Sequence, residues 1–268
     1  MRKFLIILFA MLFGSAAMAG GGEYSYGPHP KQALDVYLPP NPQNAPIIVM
    51  LHGGGWHVGD KANSKVAGAK AKYWNGEGRI FVSVNTRLMP DAGPLDQARD
   101  LARAMAFVQK NASAWGGNPN QMILVGHSSG GHIAALLSTR QDLQREAGLS
   151  RWDGTVVLDS LAYDVPTMMR DDSSRAKVAA FGQDRNYWTS TSPDEFLDQS
   201  DPPMLLVCSS KRRTSCSYAK SFAAQGRNAG VSMEVIPVPF KHEAINAQLG
   251  RNRKYTQAVD DWISHHLN

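Results

Sequence analysis

The sequence predicts an α/β fold with a mostly parallel central sheet and helices on both faces. Short apolar runs rich in β-forming residues recur along the 268 residues, and stretches with helical spacing lie between them. No internal repeat, low-complexity tract or linker divides the chain. Because alternating strands and helices form parallel sheets that are covered on both sides, one domain is the simplest organisation.

Seven runs are predicted to be strands, because each is too short for a helix and is bounded by turn-forming residues. Residues 47–51, for example, lie between Pro46 and Gly53. The seven runs are residues 33–38, 47–51, 80–84, 122–125, 156–158, 204–207 and 233–238. Four stretches with helical spacing are predicted to be helices, at residues 95–111, 131–139, 217–228 and 254–267.

Residues 161–203 form the one long stretch without a clear pattern. They are rich in Asp, Ser and Arg, and their main aromatic residues are Trp188 and Phe196. In a compact domain such a segment is usually a lid or a small insertion. We therefore expect a lid-like insertion within a domain of residues 20–268; a surface excursion without function is the alternative.

The first 19 residues are typical of a secretory signal peptide. Arg2 and Lys3 precede an apolar run over residues 4–13, and Ala17-Met18-Ala19 resembles a cleavage site. The run is shorter than the roughly 20 apolar residues that a spanning helix needs. We therefore expect cleavage and a mature chain that is periplasmic or secreted, without stable membrane insertion; an uncleaved anchor is the alternative.

The charge balance argues against nucleic acid as a partner. The chain carries a net charge of +5, and loss of Arg2 and Lys3 with the leader lowers it to +3. Nucleic-acid binding usually needs a clustered basic face, whereas these charges are dispersed.

The two cysteines provide information on the compartment. Cys208 and Cys216 both follow the predicted leader and have seven residues between them. In an oxidising compartment they could form a disulfide, and two unrelated thiols are the alternative.

The segment Gly126-His127-Ser128-Ser129-Gly130 carries the first candidate functional residue. It follows the predicted strand 122–125 and leads into the predicted helix 131–139, which is the context of a G-x-S-x-G nucleophile elbow. Glycines are needed because side chains flanking the serine would clash in so tight a turn. Ser128 is therefore the predicted nucleophile.

The segment His52-Gly53-Gly54-Gly55-Trp56 follows the predicted strand 47–51 and matches an H-G-G-G loop. Such loops supply backbone donors to an oxyanion hole, and their glycines let the main chain approach a substrate without Cβ atoms in the way. We predict Gly54 and Gly55 as donors, with the N–H of Ser129 as the third. A tight turn without catalytic meaning is the alternative.

His242 is the predicted general base. In folds with this elbow the histidine follows the serine along the chain, and His242 comes shortly after the predicted strand 233–238. His265 and His266 lie in the last predicted helix, and the histidines of the two motifs fit packing or turn roles. None of the eight histidines shows the spacing of a zinc site, so no metal and no cofactor is predicted.

These motifs resemble the α/β-hydrolase superfamily, in particular its acetyl-esterase and feruloyl-esterase-like carboxylesterases close to the hormone-sensitive-lipase group. The resemblance covers nearly the whole of residues 20–268 and includes residues 34–39, 52–61, 85–88, 115–119 and 201–203. It implies an α/β-hydrolase fold and cleavage of carboxylic esters, on small molecules or on polysaccharides, through an acyl-enzyme on the serine. An amide or peptide hydrolase of the same fold is an alternative.

The chain departs from this family at the expected position of the catalytic acid. The resemblance places that acid in the loop after Val207, but Arg212 stands there and no carboxylate occurs before Glu234. One explanation is a relocated acid, with Asp159 at the end of the preceding predicted strand as first candidate and Asp164 as second. A Ser-His dyad is another explanation, and a degenerate hydrolase that binds without turnover is the third.

The basic run Lys211-Arg212-Arg213 has two interpretations. It forms a solvated loop tip, or it forms a cationic rim at the mouth of the site that attracts anionic substrates. The sequence leaves both open.

Overall fold

The predicted parallel sheet is present, with eight strands within residues 21–267, which the computed structural model describes. The predicted signal peptide, residues 1–19, lies outside the described residues. The strands are β1 (Gly22–Ser25), β2 (Ala33–Tyr37), β3 (Ala45–Leu51), β4 (Ile80–Val84), β5 (Gly117–His127), β6 (Gly154–Leu158), β7 (Met204–Ser209) and β8 (Met233–Val238). Their order across the sheet is β1-β2-β4-β3-β5-β6-β7-β8. The pairs β1-β2 and β2-β4 are antiparallel, and the other pairs are parallel.

Helices cover both faces of this sheet in the described part of the chain. They are α1 (Gly68–Gly76), α2 (Pro94–Asn111), α3 (Ser129–Thr139), α4 (Gln141–Ala147), α5 (Val165–Asp171), α6 (Arg175–Phe181), α7 (Arg185–Ser190), α8 (Ser215–Asn228), α9 (His242–Gln248) and α10 (Arg253–His266). Short 3-10 helices span Ala112–Trp115 and Pro193–Phe196.

The two faces of the sheet bury different side chains of the same strand. In β3, Ile47, Val49 and Leu51 pack into a core with α2 and α3. Ile48 and Met50 pack into a second core with α1 and α10. All five side chains are buried. Because a strand covered on both faces needs apolar residues at every position, β3 reads in the sequence as a continuous apolar run.

All seven predicted strands and all four predicted helices are present, although several ends differ. Outside residues 161–203, the strands and α-helices that the sequence analysis missed are β1, α1, α4 and α9. β1 is an edge strand of four residues, and the three helices are seven to nine residues long. Segments this short carry too few apolar positions for their periodicity to separate a helix from a loop.

Residues 161–203 are more regular than the sequence indicates, because α5, α6, α7 and the second 3-10 helix lie there. Each helix is short, and two of them begin with an aspartate cap. Asp164 accepts a hydrogen bond from the backbone N–H of Thr167 at 2.8 Å, and Asp184 accepts one from Asn186 at 2.9 Å. Aspartate caps turns and loops in the same way, so composition alone suggested an irregular segment.

Hydrogen bonds join this segment to α3 and to the glycine loop, residues 52–56. His132 of α3 accepts from Trp56 Nε1 at 3.1 Å and donates from its own Nε2 to the carbonyl of Thr191 at 2.8 Å. The ring of Phe181 packs edge-on against Trp56, with centroids 4.8 Å apart. Burial lowers the pKa of His132 to about 4, although the hydrogen bond to Thr191 opposes the change. The buried imidazole is therefore neutral at pH 7.

A disulfide between Cys208 and Cys216 is present, as the sequence suggested, with Cα atoms 5.0 Å apart. It connects the end of β7 to the first turn of α8. The loop between these elements is thereby closed at its base.

The neutral state of His132 predicts a loss of stability in acid. In the unfolded chain this histidine binds a proton near pH 6.5, whereas in the fold it does so near pH 4. Because the unfolded state binds more protons in this window, the free energy of unfolding falls as pH decreases, by about 2 kcal/mol between pH 6.5 and 4.5. Urea unfolding of the native protein and of His132→Gln should show a shallower pH dependence in the variant. His127, whose pKa burial also lowers, is present in both proteins, so its contribution to the slope is the same. Equal slopes would therefore contradict the prediction for His132.

The disulfide predicts that the protein has no titratable thiols until it is unfolded and reduced. Replacing both Cys208 and Cys216 with alanine should lower the free energy of unfolding by at most about 2.5 kcal/mol, because the closed loop is short. Thiol titration under denaturing, non-reducing conditions and urea unfolding measure the two effects. Two titratable thiols in the untreated protein would overturn this expectation.

Candidate active site

Ser128 lies in the sharp turn between β5 and α3. Its backbone has φ 56° and ψ −119°, a conformation that residues other than glycine rarely adopt. A Cβ on Gly126 would lie 2.3 Å from the carbonyl oxygen of Gly130, and a Cβ on Gly130 would lie 2.2 Å from that of His52. Both glycines of the motif are therefore required for the turn that carries Ser128 at the carboxyl end of β5.

His242 reaches the serine from α9. Its Nε2 lies 2.8 Å from Ser128 Oγ. The sequence analysis predicted no helix at this position, but His242 is the first residue of α9, directly after Lys241. The side chain is 27% exposed, so the imidazole remains accessible from solvent while it contacts the serine.

Asp159 lies at the end of β6 and contacts the other side of the same imidazole. Its Oδ2 is 2.6 Å from His242 Nδ1, and its side chain is fully buried. The carboxylate, the imidazole and the hydroxyl of Ser128 thus form one hydrogen-bonded chain. Asp164, the second candidate acid, lies at the start of α5, where it accepts hydrogen bonds from the N–H and the hydroxyl of Thr167.

Four groups hold the buried carboxylate of Asp159. Oδ1 accepts from the N–H of Ser209 at 2.8 Å and from the hydroxyl of Ser215. Oδ2 accepts from His242 and, at 2.6 Å, from Nη1 of Arg212. Burial raises the pKa of Asp159, but these hydrogen bonds outweigh burial and hold the pKa well below its usual range. Asp159 is therefore ionised at neutral pH.

The loop between β7 and α8 supplies three of these four groups. Ser209 and Ser215 stand at its two ends, next to the disulfide-bonded cysteines, and Arg212 stands between them. Lys211 and Arg213 are exposed, whereas the side chain of Arg212 points inward and is 30% exposed. Both interpretations of the basic run, as loop tip and as rim, treated the three residues alike, and the structure separates Arg212 from its neighbours.

The glycine loop turns sharply beside Ser128. The carbonyl of Gly54 accepts a hydrogen bond from the N–H of Val58 at 3.1 Å, and Gly54 and Gly55 have φ values of 137° and 60°. Gly55 and Ser129 line the same cavity as Ser128. The oxyanion-hole roles of Gly54, Gly55 and Ser129 stay predictions that this arrangement supports.

Ser128 lies between two cavities, and His242 and Gly55 also line both. The larger has a volume of about 440 Å³, and its polar lining includes Asp60, Asn63 and Lys65. The smaller has a volume of about 190 Å³, and its apolar lining includes Trp56, Leu161 and Met168. The hydroxyl therefore has free space on two sides.

His127 is a residue of the site whose specific contact the sequence analysis did not predict. Its ring packs against that of His242 with centroids 4.7 Å apart, and its Nε2 donates to the carbonyl of His242 at 3.2 Å. Burial, and then the neighbouring His242, lower the pKa of His127 to about 3. A neutral His127 thus fixes the start of α9. Its place in the elbow is the available sequence signal, whereas Ser209 and Ser215 carry none.

Within residues 21–267, no group of three or more His, Cys, Asp or Glu side chains is arranged to hold a metal ion. No helix in this range is long and apolar enough to cross a membrane.

Comparison with solved structures supports the fold assignment. The apo form of Thermogutta terrifontis esterase 2 superimposes with a TM-score of 0.75 and 20% sequence identity, covering 92% of this chain and 95% of that one. Esterase B from Lactobacillus rhamnosis gives the same TM-score at 21% identity, covering 91% of this chain and 84% of that one. The predicted α/β-hydrolase fold is therefore confirmed.

Curated relatives match parts of the sequence. A probable isoprenylcysteine alpha-carbonyl methylesterase, ICMEL2 of Arabidopsis thaliana, is 32% identical over 152 residues, which cover 56% of this chain and 34% of the relative. Esterase LipQ of Mycobacterium tuberculosis is 24% identical over 262 residues, covering 90% of this chain and 61% of the relative. The chain thus spans about a third of the length of the plant relative and under two thirds of the mycobacterial one.

A family model provides the most specific match. The model described as BD-FAE matches residues 34–223, which include the glycine loop, the elbow and Asp159. His242 lies beyond the matched range. Because the match covers more than half of the chain, the chain belongs to the BD-FAE family, an esterase family of the α/β-hydrolase fold.

Proposed function

We propose that this chain is an exported serine carboxylesterase that cleaves ester bonds through an acyl-enzyme on Ser128. The observation that carries the proposal is the hydrogen-bonded chain from buried Asp159 through His242 to Ser128, with distances of 2.6 Å and 2.8 Å. Such an arrangement activates a hydroxyl that is otherwise a weak nucleophile.

The proposed reaction begins when Ser128 Oγ attacks the ester carbonyl. Nε2 of His242 takes the hydroxyl proton, and ionised Asp159 stabilises the resulting imidazolium through Nδ1. The backbone N–H groups of Gly54, Gly55 and Ser129 donate to the oxyanion. His242 then protonates the leaving alcohol, and water activated by the same imidazole releases the acid. These steps use no cofactor.

The two cavities support an ester as substrate, because they leave room for both the acyl and the alcohol side. The smaller, apolar cavity suits a short acyl group, and the larger, more polar cavity suits the alcohol. The relatives named methylesterase and esterase agree with this class of substrate. Small-molecule esters and esters on a polysaccharide both fit the proposal.

The proposed location is the periplasm or the outside of the cell. Residues 1–19 have the pattern of a cleaved leader. A disulfide in the loop that holds Asp159 fits an oxidising compartment. N-terminal sequencing of protein recovered from the periplasm or the medium should begin at Gly20; a sequence beginning at Met1 would contradict export with cleavage.

We expect the protein to hydrolyse p-nitrophenyl acetate and Ser128→Ala to remove nearly all of this activity, a loss of at least about 10³-fold. The exposed Ser217, replaced by alanine, provides a matched control that should retain full rate. A fluorophosphonate probe should label the native protein and the control but not Ser128→Ala. If all three proteins are inactive while an ester analogue still binds, a hydrolase-fold binding protein is the better description.

Asp159→Asn should lower kcat by about 10⁴-fold without unfolding the protein, because the amide no longer stabilises the imidazolium. Asp164→Asn is the matched comparison. Since asparagine caps a helix about as well as aspartate, this replacement at the start of α5 should change stability little and kcat by less than threefold. Steady-state kinetics and thermal unfolding of both variants distinguish these effects, and a loss below about tenfold in Asp159→Asn would refute its proposed role.

A further inference from the structure

Arg212 occupies an unusual place for a cation, beside the hydrogen bond between Asp159 and His242. Its Nη1 lies 2.6 Å from Asp159 Oδ2 and 2.9 Å from His242 Nδ1. Asp159 Oδ2 is itself 2.6 Å from the same Nδ1. One guanidinium nitrogen therefore contacts both the acid and the base of the proposed mechanism.

The chemistry of these groups makes Asp159 and Arg212 compete for one imidazole nitrogen. A guanidinium only donates hydrogen bonds and an ionised carboxylate only accepts them. When Nδ1 of His242 carries a proton it donates to Asp159, which leaves Nε2 free to accept the proton of Ser128. When Nδ1 lacks a proton it accepts from Arg212, and Nε2 then carries a proton and cannot act as a base.

The charges of Asp159 and Arg212 also have opposite effects on the protonation of His242. Asp159 alone would present one negative charge to the imidazole and favour its protonated form. With Arg212 beside it, the pair presents no net charge, and the protonated imidazole meets a cation at 2.9 Å. The side chain of Arg212 is only 30% exposed, so solvent screens this contact incompletely.

Other charged or titratable groups around His242 are further away or neutral. Buried His127, from the end of β5, is neutral at pH 7. Glu243, on α9, lies 4.0 Å from Nε2 but is 79% exposed. Lys70 lies behind α9, where its Nζ donates to the carbonyl of Asn246, and burial lowers the pKa of His52. The others that line the two cavities are Asp60, Lys65 and Lys177. Arg212 and Asp159 are therefore the charges closest to the ring.

We propose that Arg212 is a positioning residue that holds Asp159 in place and offsets its charge at His242, so that the imidazole stays neutral to a lower pH than beside Asp159 alone. A neutral imidazole is the form that accepts the serine proton. The effect of Arg212 is thus to extend ester hydrolysis toward acid pH. The inference rests on the proposed function for its rate prediction but not for the state of the imidazole.

Removing the charge of Arg212 should shift the acidic limb of the pH profile of kcat/KM. In Arg212→Gln, the pH of half-maximal kcat/KM for the neutral substrate p-nitrophenyl acetate should rise by about one unit, because Asp159 is then unopposed. At one pH below both limbs, kcat/KM relative to its own plateau should therefore be about tenfold lower in this variant than in the native protein. Arg212→Lys keeps a cation and should move the limb by less than half as much. Arg213→Gln, an exposed neighbour in the same loop, should not move it.

A second measurement reads the imidazole without turnover. NMR titration of ¹⁵N-histidine-labelled protein follows the protonation and tautomer of His242, with His242→Gln identifying its signals. The ring should protonate at higher pH in Arg212→Gln than in the native protein. If Arg212→Gln does not fold, Arg212→Met provides a second neutral side chain for both measurements.

The outcomes separate this inference from its alternatives. A limb that stays in place in Arg212→Gln, with only a uniform loss of rate, would overturn the proposal and make Arg212 a structural support. An equal shift in Arg212→Lys would also overturn it, since charge would not be the cause. If the native protein shows no esterase activity but the NMR shift is present, the proposed function fails and the role of Arg212 stands.

Discussion

The structure of the site depends on one buried charge, the carboxylate of Asp159. A carboxylate without access to water is stable only when its oxygens are fully hydrogen-bonded. β6 places it, α9 brings His242 to one oxygen, and the loop between β7 and α8 brings donors to both. The orientation of the imidazole and the shape of the loop are therefore two consequences of one requirement.

The sheet order explains how Asp159, after β6, and Arg212, after β7, come into contact. β6 lies between β5, which ends at the elbow, and β7, which precedes Arg212. An acid at the end of β6 is thus one strand nearer to Ser128 than an acid after β7. A side chain from the loop after β7 then points at that carboxylate, and a cation is the type of residue that stabilises it there. The lack of a carboxylate in the loop after β7 and the inward side chain of Arg212 therefore belong to the same arrangement.

The sequence predicted the parts of this protein that depend on local pattern. Continuous apolar runs identified the buried strands, and the two glycine motifs identified Ser128 and the loop beside it. Chain order predicted His242, and the lack of a carboxylate after Val207 made Asp159 the first candidate among several explanations. The inward direction of Arg212 and the hydroxyl of Ser215 could not be predicted, because they depend on a loop conformation that three separate elements determine. The short helices α5 to α7 were missed because six or seven residues carry too little periodicity.

The hydrogen bonds through His132 have a consequence for how the site selects substrates. They connect Trp56, which walls the smaller cavity, to α3 in the core and to Thr191 after α7. The segment over residues 161–203 is consequently packed into the core on this side, where Val165, Met168 and Phe181 are buried. Under the proposed function, this packing would limit acyl length. Enlarging the cavity would weaken the fold, so selectivity and thermal resistance would evolve together.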